Sequence, residues 1–303
     1  MDVLYFLEGI RNPILDKIML AITTFGEELL FMAIAMLVLW CVNKKSGYYL
    51  LFVGFLGTQI NQFLKVTFRI ERPWVRDPEF TPVEAAIKEA TGYSFPSGHT
   101  QSAVGTFGTV FATVKKVWLK VLCAVLCILV PFSRMYLGVH TPLDVSVSFV
   151  VAVLLVALFG LIFKKIGDNP KGMRILLWAM VLISVAQAVY MTVTLYSATE
   201  PELISSLKNA YKMLGAVCGM VVVYELDIRY INFETKAVWW AQALKLILGL
   251  LLTVLVKELC YAVFGLIPWE PLSRAFSYFF MVVFAGAVWP LTFRFFAKMG
   301  KKN

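Results

Sequence analysis

Residues 133–165 read SRMYLGVHTPLDVSVSFVVAVLLVALFGLIFKK, and this stretch sets the architecture. From Leu143 to Phe163 the one charged side chain is Asp144, and the run matches the about 20 apolar residues that a helix needs to cross a bilayer. Lys164 and Lys165 close it, as cytoplasmic connections do in membrane proteins. The opposite end carries an arginine, a histidine and an aspartate in the pattern Ser133-Arg134-x5-His140-x3-Asp144. Groups able to bind an anion and move protons therefore stand at the mouth of a membrane helix, away from the cytoplasm.

Outward from there, apolar runs recur near residues 18–42, 47–66, 98–114, 117–134, 174–197, 208–226, 238–266 and 275–297, which with 143–164 makes nine. Composition agrees, with 60% hydrophobic and 16% charged residues against about one-quarter charged in soluble domains. The expected fold class is all-α, a polytopic membrane helix bundle of about nine spans with no soluble domain. A net charge of +9 would suggest nucleic acid in a soluble chain, but here the cations cluster in alternate connections. These hold Lys44 and Lys45; Lys115, Lys116 and Lys120; Lys164, Lys165, Lys171 and Arg174; Arg229 and Lys236; and, in the tail, Arg294, Lys298, Lys301 and Lys302. Such a pattern encodes topology, so no nucleic-acid partner is expected, and the N-terminus and the motif-bearing loops belong outside the cytoplasm.

Five cysteines, Cys41, Cys123, Cys127, Cys218 and Cys260, lie in or at the edge of apolar runs and are expected to be free thiols. Cys123 and Cys127 read as packing residues, since no histidine or carboxylate is near them in sequence to complete a metal site. The first dozen residues lack the basic start and small-residue cleavage site of a cleavable signal. Residues 2–11 instead alternate apolar and charged side chains and suit a short interfacial helix. The long polar connection from Pro73 to Phe95 contains Thr81, Pro82 and Glu84, a good helix start, and Gly92, a stop. That predicts a helix over residues 82–91, placed as a lid.

Both histidines of the chain fall in motif segments. Lys65 and Arg72 are two helical turns apart, so a helix continuing past the second span puts both on one face, with Arg69 close to the same stripe, until Pro73 ends it. The plainer reading of any of these cations is lipid snorkelling, but Gln59, Asn61 and Gln62 nearby favour a polar interior. Pro96-Ser97-Gly98-His99 stands before the third span, where glycine permits close backbone approach and free helix amides attract anions. On its own it is also an ordinary turn. On a helix His140 and Asp144 would share a face, with the aspartate accepting from one ring nitrogen; Asp144 alone reads equally well as a first-turn helix residue. Lys245, Lys257 and Glu258, inside the eighth run, read either as headgroup ligands or as snorkelling or a local ion pair. Glu27 and Glu28 in the first span are candidates to border the pocket.

Taken in order, lysine-x6-arginine-proline, proline-serine-glycine-histidine and serine-arginine-x5-histidine-x3-aspartate resemble the type 2 phosphatidic acid phosphatase superfamily, complete at every motif position. The resemblance implies His140 as a nucleophile forming a phosphohistidine, Asp144 as its orienting carboxylate, and His99 as general acid. It implies that Lys65, Arg72, Ser97, Gly98, Ser133 and Arg134 hold the phosphate, with neither metal nor cofactor. It also implies a six-helix phosphatase core over residues 1–197, followed by a three-span extension, 198–303; the nine-span layout is similar to that of glucose-6-phosphatase-like members. The function expected is hydrolysis of a lipid phosphate or pyrophosphate at the non-cytoplasmic face, in the cell membrane, with membrane lipids as neighbours. The alternatives are a soluble sugar-phosphate hydrolase of the same mechanism and a non-catalytic lipid-phosphate binding or moving protein.

Overall fold

Wherever the chain is described, its apolar runs fold as helix. The structure is a computed structural model that describes residues 1–195 and 200–299, with 201 and 202 described by backbone alone. The helices are α1 (Asp2–Gly9), α2 (Pro13–Thr23), α3 (Glu28–Leu37), α4 (Lys44–Phe68), α5 (Pro73–Arg76), α6 (Glu84–Ile87), α7 (Gly98–Thr113), α8 (Val117–Tyr136), α9 (Pro142–Ile166), α10 (Pro170–Leu195), α11 (Pro201–Leu226), α12 (Trp239–Phe264), α13 (Glu270–Val283) and α14 (Phe293–Lys298). Among the described residues there is no strand, so the all-α class holds.

Five helical stretches are long and apolar enough to cross a membrane: α8, α9, α10, α12 and Glu270–Lys298. A sixth candidate is the pair Pro13–Gly26 and Glu28–Val42, bent by 52° at a short break. Two of the other expected spans become α4 and α11, helices of full spanning length, and a third becomes α7, a shorter one. Polar residues on α4 that turn inward, among them Gln59, Asn61 and Lys65, lower its apolarity without exposing it, since all three are buried.

The chain divides into two compact units that interleave along the sequence. One comprises Met1–Ile34, Tyr49–Lys165 and Glu200–Leu203; the other comprises Ala35–Tyr48, Ile166–Thr199 and Ile204–Asn303. The core boundary expected at 197/198 lies outside the described residues, as do Lys301 and Lys302.

In the first unit, α8 is the central post, with α1, α2 and α7 packed on it. Ala103 and Phe107 of α7 meet Cys123, Leu126 and Val130 of α8, and Ile22 and Leu30 close the cluster. Phe52 of α4 packs its ring on Phe159 and Phe163 of α9. In a membrane such close packing, rather than water exclusion, is what associates helices.

The loop helix is shorter than expected, Glu84–Ile87 rather than residues 82–91. Tertiary contacts override its local signals. Ala86 and Ala90 are buried against Tyr136, Leu137 and Val139, and the Val83 amide donates to the Leu137 carbonyl at 3.0 Å. The loop is thus part of the unit's core.

In the second unit, Lys245 is 1% exposed and donates to the carbonyls of Trp40 (2.9 Å) and Thr235 (3.1 Å), beneath the Phe293 ring. Its burial caps backbone carbonyls rather than meeting a headgroup. Lys257 and Glu258 form the local ion pair, at 3.0 Å. All five cysteines are free thiols.

Candidate active site

All eleven motif residues belong to the first unit. The lysine-arginine pair is not assembled by one continuous helix. α4 ends at Phe68, Arg69 adopts a left-handed φ of 48°, and Arg72 sits immediately before α5. The turn sends the exposed Arg69 outward, where its Nε donates to the Val66 carbonyl, and brings Lys65 and Arg72 onto one loop segment instead. Lys65 Nζ donates to the Tyr93 carbonyl. Arg72 donates from Nε to the Gly92 carbonyl (2.9 Å), from Nη2 to Thr91 (2.7 Å) and from Nη1 to Val139 (2.9 Å).

Arg72 Nη1 also lies 3.0 Å from His140 Nε2. A guanidinium has no acceptor, so His140 Nε2 must carry the lone pair and Nδ1 the proton. Nδ1 lies 3.6 Å from Asp144 Oδ2, close to the carboxylate but longer than a hydrogen bond, and it is buried with no hydrogen-bond partner. His140 is 2% exposed; burial, with Arg72, Arg134, Lys65 and His99 adding to it, holds its pKa well below the usual imidazole range. A neutral imidazole is the form a nucleophile needs.

His140 and Asp144 do not meet by helical periodicity. His140 precedes the helix, in the bend before Thr141, and Asp144 sits in the first turn of α9. Asp144 Oδ2 accepts from the Thr141 amide (2.8 Å), while the Thr141 hydroxyl accepts from the Asp144 amide (3.3 Å). The cap of α9 and the close approach to His140 Nδ1 thus fall on one carboxylate. A second donor on the same oxygen, Ser94 Oγ at 2.6 Å, comes from the long loop. Ser94 carries no sequence signature and was missed by motif reasoning.

Ser97 caps α7, its hydroxyl accepting from the Thr100 amide (3.4 Å) and hydroxyl (3.0 Å), and its own amide donates to the Asp144 carbonyl (3.1 Å). Gly98 has space around it: a Cβ there would meet Asn61 Oδ1 alone, at 3.8 Å. Protein packing does not require this glycine, whereas backbone approach to a ligand would. His99, one residue on, keeps a buried Nε2 with no partner. Ser133 Oγ donates within its own helix to the Val130 carbonyl at 2.7 Å, so its hydroxyl proton is already engaged.

Arg134 is the contrast to Arg72. It is 1% exposed, it donates from Nη1 to Thr23 Oγ1 at 2.8 Å, and its Nε and Nη2 have no partner. Leaving charged donors unspent in a dry interior is costly unless a ligand takes them up. Formally, three buried cations (Lys65, Arg72, Arg134) accompany one buried carboxylate (Asp144), an excess of two positive charges that a phosphate dianion would balance.

Residues 46–168 match the PAP2 superfamily, and residues 211–301 match the PAP2 superfamily phosphatase transmembrane extension. Over 163 residues the chain is 32% identical to an undecaprenyl-diphosphatase of Bacillus subtilis (strain 168), covering 52% of this chain and 78% of that one. The chain belongs to the PAP2 superfamily. It is a multi-pass membrane phosphatase, and the second match gives the last helices a family home as its transmembrane extension. Other PAP2 relatives are a phosphatidylglycerophosphatase B of Bacillus subtilis (strain 168), 30% identical with 48% of this chain and 74% of that one covered, and a probable sphingosine-1-phosphate phosphatase of Dictyostelium discoideum, 31% identical with 48% and 38% covered.

Proposed function

We propose that the protein hydrolyses a lipid phosphate or pyrophosphate at the non-cytoplasmic face of the cell membrane, with His140 as nucleophile. The observation that carries this reading is the buried Arg134, with two unspent donor atoms, in the same unit as His140, whose Nδ1 lies 3.6 Å from Asp144 Oδ2. Phosphate oxygens would take up Arg134 Nε and Nη2 and draw Arg72 Nη1 off His140, freeing the Nε2 lone pair for in-line attack on phosphorus. His99 would protonate the leaving oxygen, giving a free lipid alcohol or lipid monophosphate. Water would then attack the phosphohistidine, and His99 would accept its proton. The fixed cations stabilise the charge on the equatorial oxygens throughout.

Residues 1–197 would carry all of this chemistry and 198–303 none, with nine crossings placing the N-terminus outside and the C-terminus inside. The relatives' names share a terminal phosphate on a lipid and differ in the lipid, which supports the class rather than one member. Phosphate release by the purified full chain in detergent, measured on phosphatidic acid, phosphatidylglycerol phosphate, a polyprenyl diphosphate, a sphingoid phosphate and glucose 6-phosphate, tests it. Turnover of at least one lipid well above the sugar ester is expected; preference for the sugar ester would overturn the lipid reading.

A further inference from the structure

Beyond the three motifs, the break between α2 and α3 stands against two of the residues on which the proposed mechanism depends. Thr23 ends α2, and the turn Thr24–Gly26 separates it from α3. Thr23 is 4% exposed, and its Oγ1 is the acceptor for Arg134 Nη1 at 2.8 Å, the one side-chain hydrogen bond to this guanidinium among the described residues. Three residues later, a Cβ on Gly26 would come within 2.8 Å of the His99 carbonyl oxygen, 2.9 Å of His99 Cβ and 3.1 Å of His99 Cα. These are contacts with the first turn of α7 itself, which cannot swing aside as a flexible side chain can. Gly26 has an ordinary backbone conformation, so the glycine is there for close approach rather than for an unusual φ.

We infer that residues 23–26 form a fourth element of the site, in which Thr23 aims Arg134 at the substrate phosphate and Gly26 seats His99 at its working distance. Both are positioning residues: neither touches the reacting atoms. The turn Thr24–Gly26 carries the bare backbone of Gly26 against the first turn of α7, where an added Cβ has no room. The inference rests on the proposed phosphatase mechanism, and it assigns separate effects to its two residues. Losing the Thr23 acceptor should loosen phosphate binding, while crowding at Gly26 should impair proton delivery to the leaving group.

The test uses the full chain in detergent. Thr23→Val keeps the shape and removes the acceptor, and it should raise KM and weaken vanadate inhibition about tenfold, with kcat changed much less, as expected for one hydrogen bond to a charged group. Thr23→Ser should restore both. Thr23→Val should add nothing in an Arg134→Lys background if it acts through that arginine. Gly26→Ala should slow phosphoenzyme formation from an alkyl phosphate far more than from p-nitrophenyl phosphate, whose leaving group needs no proton. If Thr23→Val is poorly folded, Thr23→Ala and the Gly26→Ala leaving-group comparison still decide the matter. Unchanged KM and vanadate affinity in a folded Thr23 variant, or equal slowing of both esters in Gly26→Ala, would overturn the inference. A wild-type protein that neither turns over phosphoesters nor binds vanadate would instead overturn the phosphatase mechanism beneath it.

Discussion

Arg72 Nη1 lies 3.0 Å from His140 Nε2, so the nitrogen proposed to attack phosphorus accepts from an arginine. The contact fixes the tautomer, and in the proposed mechanism an anion that competes for the arginine would uncover the lone pair. His140→Ala is expected to lower turnover by about a thousandfold or more, as removal of a covalent nucleophile does. With a phosphate-labelled substrate, an acid-labile, base-stable label should appear in the native protein and vanish in this variant. Label that persists in His140→Ala but is lost in His99→Ala would reverse the assignment of the two histidines.

Ser94 Oγ donates to Asp144 Oδ2 at 2.6 Å and is fully buried. Ser94→Ala should cost about tenfold in kcat, the scale of one hydrogen bond to a charged group, by letting the carboxylate turn from His140. Ser94→Thr should recover part of the loss. Steady-state kinetics on a soluble aryl phosphate measures this without lipid presentation.

The long loop supplies the carbonyls that hold Lys65 and Arg72. Replacing residues 79–92 with a glycine-serine stretch should therefore reduce cleavage of a small soluble ester as well as a lipid, by roughly a hundredfold in kcat. Loss confined to lipid substrates would return the loop to the role of a lid.

His140 is held neutral below its ordinary range, while an unfolded chain would protonate it near pH 6.5. Below that value the unfolded state binds a proton that the folded state refuses, so stability should fall as pH drops from about 7 to 5.5 and be fully present above it. Thermal midpoints in detergent should show a shallower pH slope for His140→Gln than for the native chain. An unchanged slope would place the titrating group elsewhere.

Lys88 and Lys171 are both exposed and are assigned to opposite faces of the membrane. Single cysteines at these positions, in a background with the native cysteines replaced, should react with an impermeant thiol reagent on intact cells at Lys88→Cys only. The reverse pattern would move the reaction to the cytoplasmic side.

The helical membrane class and the residues of the three motifs are legible in the amino-acid order alone. A span is legible because every apolar residue in it counts alike, and the motif residues because each motif is short and local. Tertiary structure decided how they meet. Lys65 and Arg72 are joined by a left-handed turn at Arg69 and by carbonyls of residues 91–93, not by helical periodicity. The loop helix shrank because Ala86 and Ala90 were worth more packed under Tyr136 and Val139 than in another helical turn. Ser94, Thr23 and Gly26 reach Asp144, Arg134 and His99 from 50, 111 and 73 residues away. A serine, a threonine and a glycine have no local pattern that marks them, because an acceptor or a missing Cβ acquires meaning only when packing sets a particular donor or backbone against it.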